Sequence, residues 1–290
     1  MIRHTALIAS LLVALAGTVA ACDAAPPSAP TPQAAPSAGR HLIDNHGHEL
    51  AFYVTPGHLP AIVLDSGGGL DASYWNKLVP TLAKDTGSEI ITYDRAGLGA
   101  SAEVPGPWQP ANAVSDLDAG LTGLGLTHDV VLVSHSEAGE IATYFVRDHP
   151  GVVEGAVLVD ASLPDFCTDE EIARVEAAEQ PQIAALRNQP STKANRQLLS
   201  VAEDYAPVHT AYHQVTWPQN VPAIVIASAT TPFDTSPVDA QRWRAAQAAF
   251  AAKAPNRTLV TAAGSSHDVP IDRPDVVIDS IQKMIAKRGV

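Results

Sequence analysis

The sequence predicts an α/β fold, a mostly parallel central sheet flanked by helices, and three observations point to it. Short, continuously apolar runs recur along the chain, among them AIVLD at 61–65, VVLVS at 130–134 and AIVIAS at 223–228. Strands of that kind are buried on both faces, as a parallel sheet covered by helices requires. These runs alternate with longer stretches of helical character. Finally, the 290 residues are 46% hydrophobic and only 17% charged, so about 250 of them suffice for one sizeable core once an unsuited N-terminus is set aside.

That N-terminus reads in two parts. MIRHTALIASLLVALAGTVAAC has a basic start at Arg3, an apolar run from Ala6 to Leu15 and small residues before Cys22. Residues 1–21 are therefore expected to be an export signal peptide rather than a membrane span, which needs about 20 apolar residues and a stop-transfer flank. Val19-Ala20-Ala21-Cys22 resembles the lipobox of bacterial lipoproteins, which implies cleavage before Cys22 and its lipidation, with the protein exported and anchored to the cell membrane. The bland alternative is an ordinary signal peptide with secretion. Residues 22–40, rich in Pro, Ala and Ser, read as a tether. Cys167 is then the only free thiol of the mature chain, so no disulfide framework is available, and the carboxylates around it in LPDFCTDEE oppose a nucleophilic thiolate.

The folded domain is expected over 41–290. HLIDNHGHELAFYV reads as two short strands broken at Asn45-His46-Gly47. Strand AIVLD follows, then a helix near 73–85, strand EIITYD (89–94), a helix near 111–124 and strand VVLVS. After these come a helix near 137–149 and strand GAVLVD (155–160). Between about 162 and 220 the alternation stops for a mostly helical segment from Asp169 to about Tyr205, and an insertion that long is usually a cap. Strand AIVIAS, a helix near 238–253, strand RTLVTAA (257–263) and a helix near 274–287 close the chain.

The chemistry centres on VVLVSHSEAGEIATYF. A buried strand runs straight into a helix through Ser136, and so tight a turn is tolerable only when the residues two before and two after are small, as Ser134 and Ala138 are. A serine that merely caps a helix is the alternative. Ser66-Gly67-Gly68-Gly69 follows an earlier strand, where bare glycine backbone can approach a developing oxyanion closely. No Lys-Ser/Thr follows those glycines and no G-x-G-x-x-G spacing is present, so phosphate binding is not expected. His267 lies in a loop between the last strand and the last helix, within reach of a serine at the strand ends.

In this order the motifs resemble the α/β-hydrolase family, serine hydrolase branch. VVLVSHSEAGE looks like its nucleophile elbow, G-x-S-x-G, with both outer glycines replaced. LDSGGGLDASYW stands where the family carries its oxyanion loop, and YDRAGLGAS, GAVLVDAS and GSSHDVPIDRPDVV match further landmarks from about His41 to Ala286. The resemblance implies Ser136 as nucleophile, His267 as general base, and the backbone amides of Gly68 and Glu137 as oxyanion donors. It implies the acid less directly. The usual place, after AIVIAS, reads Ser228-Ala229-Thr230-Thr231 with no carboxylate, which leaves Asp160, at the end of GAVLVD, as first candidate and Asp234 as second.

The expected activity is hydrolysis of a carboxylic ester or related acyl bond in a small molecule through an acyl-enzyme, without cofactor. The competing reading is a non-catalytic ligand-binding lipoprotein that keeps the fold. A formal net charge of −13 excludes a nucleic-acid partner, because nothing supplies a basic stripe. No metal is expected: His46-x-His48 lacks the further ligands a site requires. Asp94 and Arg95 read as a structural brace near the site.

Overall fold

The computed structural model describes residues 39–287; the predicted signal segment, Cys22 and most of the tether lie outside them. The chain forms strands β1 (Gly39–Asn45), β2 (His48–Thr55) and β3 (His58–Asp65), helix α1 (Val79–Thr86), β4 (Ser88–Tyr93), α2 (Pro110–Gly123), β5 (Val130–His135) and α3 (Ala138–Asp148). It continues through β6 (Val153–Val159), α4 (Asp169–Arg187), α5 (Lys193–Glu203), α6 (Tyr205–His213), β7 (Ala223–Ser228), α7 (Pro237–Ala252), β8 (Arg257–Ala262), α8 (Val269–Asp272) and α9 (Pro274–Ala286).

All eight strands join one sheet in the order β1-β2-β4-β3-β5-β6-β7-β8. The pairs β1–β2 and β2–β4 are antiparallel, and the rest of the sheet is parallel. The two apolar faces are read directly off alternating positions. Ala61 and Val63 of β3, with Val130 and Leu132 of β5, pack under α2 and α3. Ile62 and Leu64, with Val131 and Val133, pack on the other face against Leu82 of α1 and Ile281 and Met284 of α9. Each fully buried side chain of this kind is worth about 1.5–3 kcal/mol, which explains why the continuous apolar runs are strands and not surface segments.

Two boundaries differ from expectation. The first strand begins at Gly39, paired with Val54, inside the segment read as tether. The helix expected near 73–85 is two pieces, a 3-10 turn at Ala72–Trp75 whose first turn is capped by Asp71, and then α1. Pro80 fits the break: lacking an N–H, it sits in the first turn of a new helix, where that donor would have no intrahelical partner.

The insertion between β6 and β7 is helical, as expected, and extends beyond Tyr205 through α6. It is tied to the body at several points. Arg242 of α7 pairs with Glu171 of α4 at 2.7 Å, and Arg174 of α4 with Asp239 of α7 at 2.6 Å. Tyr212 of α6 is fully buried and donates from its hydroxyl to Ser162 O at 2.9 Å. Among the described residues no helix is long and apolar enough to cross a membrane.

Candidate active site

Five segments converge at the carboxyl ends of the parallel strands, the edge where open α/β sheets place their ligands. They follow or end β3, β5, β6, β7 and β8. The chain turns sharply after β5, and Ser136 takes φ of 55°, a left-handed conformation that costs a residue with a Cβ about 1–2 kcal/mol. The strain is held on both sides. Ser136 N donates to Val159 O of β6 at 3.2 Å, while Ser136 O accepts from Gly139 N at 2.9 Å and from Ser162 N at 2.8 Å.

The residue that must be small is Gly139, one beyond the position expected. A Cβ there would lie 2.6 Å from both Ala161 Cβ and Ser162 O. Ala138 is fully buried and fits with its methyl.

The Ser136 hydroxyl lies 2.8 Å from His267 Nε2, and His267 Nδ1 lies 2.6 Å from Asp160 Oδ2. Asp160, at the end of β6, is wholly buried and also has positive φ, 41°. Its carboxylate accepts from Ser228 Oγ at 2.7 Å, Ser228 N at 3.1 Å and Trp243 Nε1 at 3.0 Å. Burial alone would raise its pKa, but the bond and charge of His267 together with the Ser228 and Trp243 donors outweigh it and hold the carboxyl below its ordinary value. Asp160 is thus an anion in a dry site, with every donor needed to keep it so. Asp234, the other candidate, is exposed.

The absence of a carboxylate after β7 has a structural counterpart. Ser228 stands at the end of that strand and donates to the acid that β6 supplies instead. The sequence signals neither role: Ser228 occupies the position where a carboxylate is expected, and Trp243 is one of two aromatics on an unremarkable helix.

His135, beside the serine, is buried, and burial followed by the neighbouring His267 pushes its pKa down to about 3. The neutral ring donates from Nε2 to His267 O at 3.0 Å and stacks between Tyr74 and His267. Asp268, next to the histidine, turns away and accepts from Tyr74 Oη at 3.2 Å.

The glycine loop after β3 lies against the elbow: a Cβ on Gly67 would meet Ser136 Cβ at 3.2 Å and His135 Nδ1 at 2.8 Å. Gly68 is buried in the turn closed by Leu70 N to Gly67 O, 3.2 Å. Arg95 ties this loop to the elbow. Its guanidinium donates to Gly67 O at 2.6 Å and lies 3.4 Å from Asp65 and 3.2 Å from Glu137. Asp94 accepts from Ala72 N, Tyr53 Oη and Ala100 N at 2.7–2.9 Å, so the expected brace is a pair of anchors on different loops.

A cavity of about 130 Å3 opens beside Ser136, walled by Phe166, Ile183, Leu186, Phe233 and Trp243 from the insertion and α7 side. It is smaller than the roughly 300–1,000 Å3 of pockets for drug-sized ligands, which favours a short group. A larger one, about 470 Å3 and bounded by Arg95, Trp108 and Arg196, does not reach the serine. Cys167 is buried beneath the insertion, and burial pushes its thiol well up, away from thiolate chemistry. His48 bonds to the buried Asp116 at 2.8 Å, and among the described residues no cluster of three or more metal-ligating side chains occurs.

A model of the alpha/beta hydrolase family matches residues 62–280. The mouse sn-1-specific diacylglycerol lipase ABHD11 is 31% identical over 58% of this chain and 56% of its own length. A non-heme haloperoxidase of Rhodococcus erythropolis is 35% identical over 39% of this chain and 41% of its own. The chain thus spans about half the length of the curated relatives it matches. Among solved structures, an esterase from Thermogutta terrifontis superposes with TM-score 0.60 at 23% identity, covering 86% of this chain and 99% of the other. A bromoperoxidase from Bacillus anthracis gives 0.64 at 17% identity, covering 86% and 100%. At these identities the structural likeness speaks for the fold alone.

Proposed function

The chain belongs to the alpha/beta hydrolase family, and from that premise we propose that it is a serine hydrolase cleaving a small carboxylic ester or related acyl bond through an acyl-enzyme. The observation that carries this reading is the unbroken line Ser136 Oγ, His267, Asp160, at 2.8 and 2.6 Å. His267 removes the serine proton as the oxygen attacks the carbonyl, and then delivers it to the leaving alcohol. Asp160 holds the ring in the tautomer with the proton on Nδ1 and stabilises the imidazolium without taking the proton. The amides of Gly68 and Glu137 receive the oxyanion, and water, activated by the same histidine, releases the acid. The relative named as a lipase fits this chemistry, and a serine at the elbow fits acyl transfer.

The direct test is turnover of 4-nitrophenyl acetate and butyrate. The native protein should hydrolyse both with saturation, and Ser136→Ala should fall to the buffer rate; equal rates in the two proteins would remove the nucleophile assignment.

Export and lipidation at Cys22 belong to the same proposal and rest on the sequence of residues 1–22. Mass spectrometry of the mature N-terminus from cells tests them. A diacylglyceryl cysteine is expected, and an unmodified terminus would reject the anchor.

A further inference from the structure

The cavity beside Ser136 has a wall that its apolar lining does not explain. Glu140, one helical turn beyond the serine on α3, lines it and is 1% exposed, and neither carboxylate oxygen has a hydrogen-bond partner. Buried polar side chains are almost always satisfied, so an acid left bare on a cavity wall lacks the group that would complete it. His209 of α6 lines the same cavity with Nε2 3.6 Å from Glu140 Oε2, too long for a hydrogen bond. Its other nitrogen donates from Nδ1 to Tyr205 O at 2.7 Å, which leaves a lone pair on Nε2. Glu179 of α4 adds a further unpaired carboxyl to the lining, beside Glu137, which Arg95 holds.

The bases of the neighbourhood are committed elsewhere. Arg95 is held by Asp65, Gly67 O and Glu137, and Arg174 and Arg242 by Glu170, Glu171 and Asp239. Among the described residues no Lys or Arg pairs with Glu140 or Glu179. Apart from Ser136, Ser162, Gln182, Tyr205 and the Arg95-paired Glu137, the lining is largely apolar, and Glu140, Glu179 and His209 face it as acceptors with no Lys or Arg to meet them among the described residues.

We propose that this wall is a subsite for a primary ammonium group, so that the substrate is a small ester or amide with an apolar body and an amino group on it. The inference rests on the hydrolase reading for what happens to the substrate, though not for the binding. A primary ammonium brings N–H donors and one positive charge, which the Glu140 carboxylate and the His209 lone pair, 3.6 Å apart, can meet together, while Glu179 adds a second unpaired carboxyl elsewhere on the wall. Burial alone drives the Glu140 carboxyl well up, with Glu137 adding to it, and drives Glu179 up to about 7, so both sites gain from a cation that restores the ionised form. Loss of one charge-assisted contact of this kind in a dry pocket is expected to cost about tenfold or more in affinity.

Calorimetric titration with n-butylammonium and with 1-butanol, on the native protein at pH 8, tests the wall without any turnover. Butylammonium is expected to bind at least tenfold more tightly than the alcohol, and both Glu140→Gln and Glu179→Gln to weaken it at least tenfold while leaving the alcohol little changed. Glu179→Gln sits on the cap, so it reads out the site even if Glu140→Gln does not fold. Equal affinities, or an ammonium affinity that neither substitution alters, would overturn the subsite, and a preference for the alcohol would make it a hydroxyl site instead. The second arm compares 4-nitrophenyl 6-aminohexanoate with the hexanoate, where at least a tenfold higher kcat/KM for the amino ester is expected and no preference overturns the substrate class. If neither ester turns over while butylammonium binds, it is the hydrolase reading that fails and the subsite that stands.

Discussion

Four donors from three segments meet on the two oxygens of Asp160. Each of them stabilises the anion, and the indole of Trp243 is the one that a substitution removes most cleanly. Trp243→Phe keeps a ring in the T-shaped stack with Phe166 and deletes one N–H. A lost hydrogen bond to a charged group is worth about 1.5–3 kcal/mol at most, so kcat should fall roughly tenfold with KM little altered, read from initial rates on a short-chain ester. Asp160→Asn should be far more severe, about 10⁴-fold in kcat, because an amide stabilises the wrong tautomer of His267. Asp234→Asn should stay within about twofold, as expected of an exposed side chain away from such a network. The sequence narrowed the acid to two positions and went no further, since strand order along the chain does not tell which carboxylate faces the histidine. Its partners were invisible for the same reason: Ser228 and Trp243 are 68 and 83 residues from Asp160.

At the level of elements, the elbow and the insertion are fastened to each other. Ser162, three residues past β6, donates its N–H to Ser136 O, and its own carbonyl accepts from the Tyr212 hydroxyl of α6. Gly139 lies against Ala161 and Ser162 in that joint. Gly139→Ala should therefore force backbone apart rather than a flexible side chain, at about 1–3 kcal/mol. In a domain of this size the expected loss is about 2–4 °C in Tm per kcal/mol, measured by calorimetry. A Tm unchanged by the added methyl would show the joint to be looser than its geometry. The central strands are legible as uninterrupted apolar runs, because burial on both faces leaves them almost no polar positions. The α1 boundary was not, since the run from 73 to 85 is locally compatible with one helix until Pro80 is weighed as a start signal. The glycine requirement at 139 was equally hidden, because it is set by Ala161 across the joint and not by the elbow's own turn.

Across the whole molecule, acidic side chains outnumber basic ones by 31 to 18, and burial raises the pKa of several of the acids. Glu179 is raised to about 7 and Asp65 to about 6, both chiefly by burial. A carboxyl raised in this way keeps its proton in the folded chain after the unfolded chain, with values near 4, has lost it. Stability then falls as pH rises through about 4 to 7, while Asp160, held low, works the other way and withdraws its contribution only as pH drops below about 4. Glu179→Gln should consequently narrow the Tm difference between pH 5 and pH 8 by a few degrees, chiefly by raising the value at pH 8. An unaltered pH profile would place the Glu179 carboxyl in water. This layer of the molecule could not be read from sequence, where Glu140 and Glu179 look like ordinary exposed residues of two helices.

If His267 activates Ser136 as a nucleophile, active-site titration with a fluorophosphonate followed by peptide mass spectrometry will register it. One adduct per folded chain is expected, located on Ser136, with labelling slowed by orders of magnitude in His267→Ala and abolished after denaturation. A folded protein that stays unlabelled, or an adduct that maps to another residue, would contradict it.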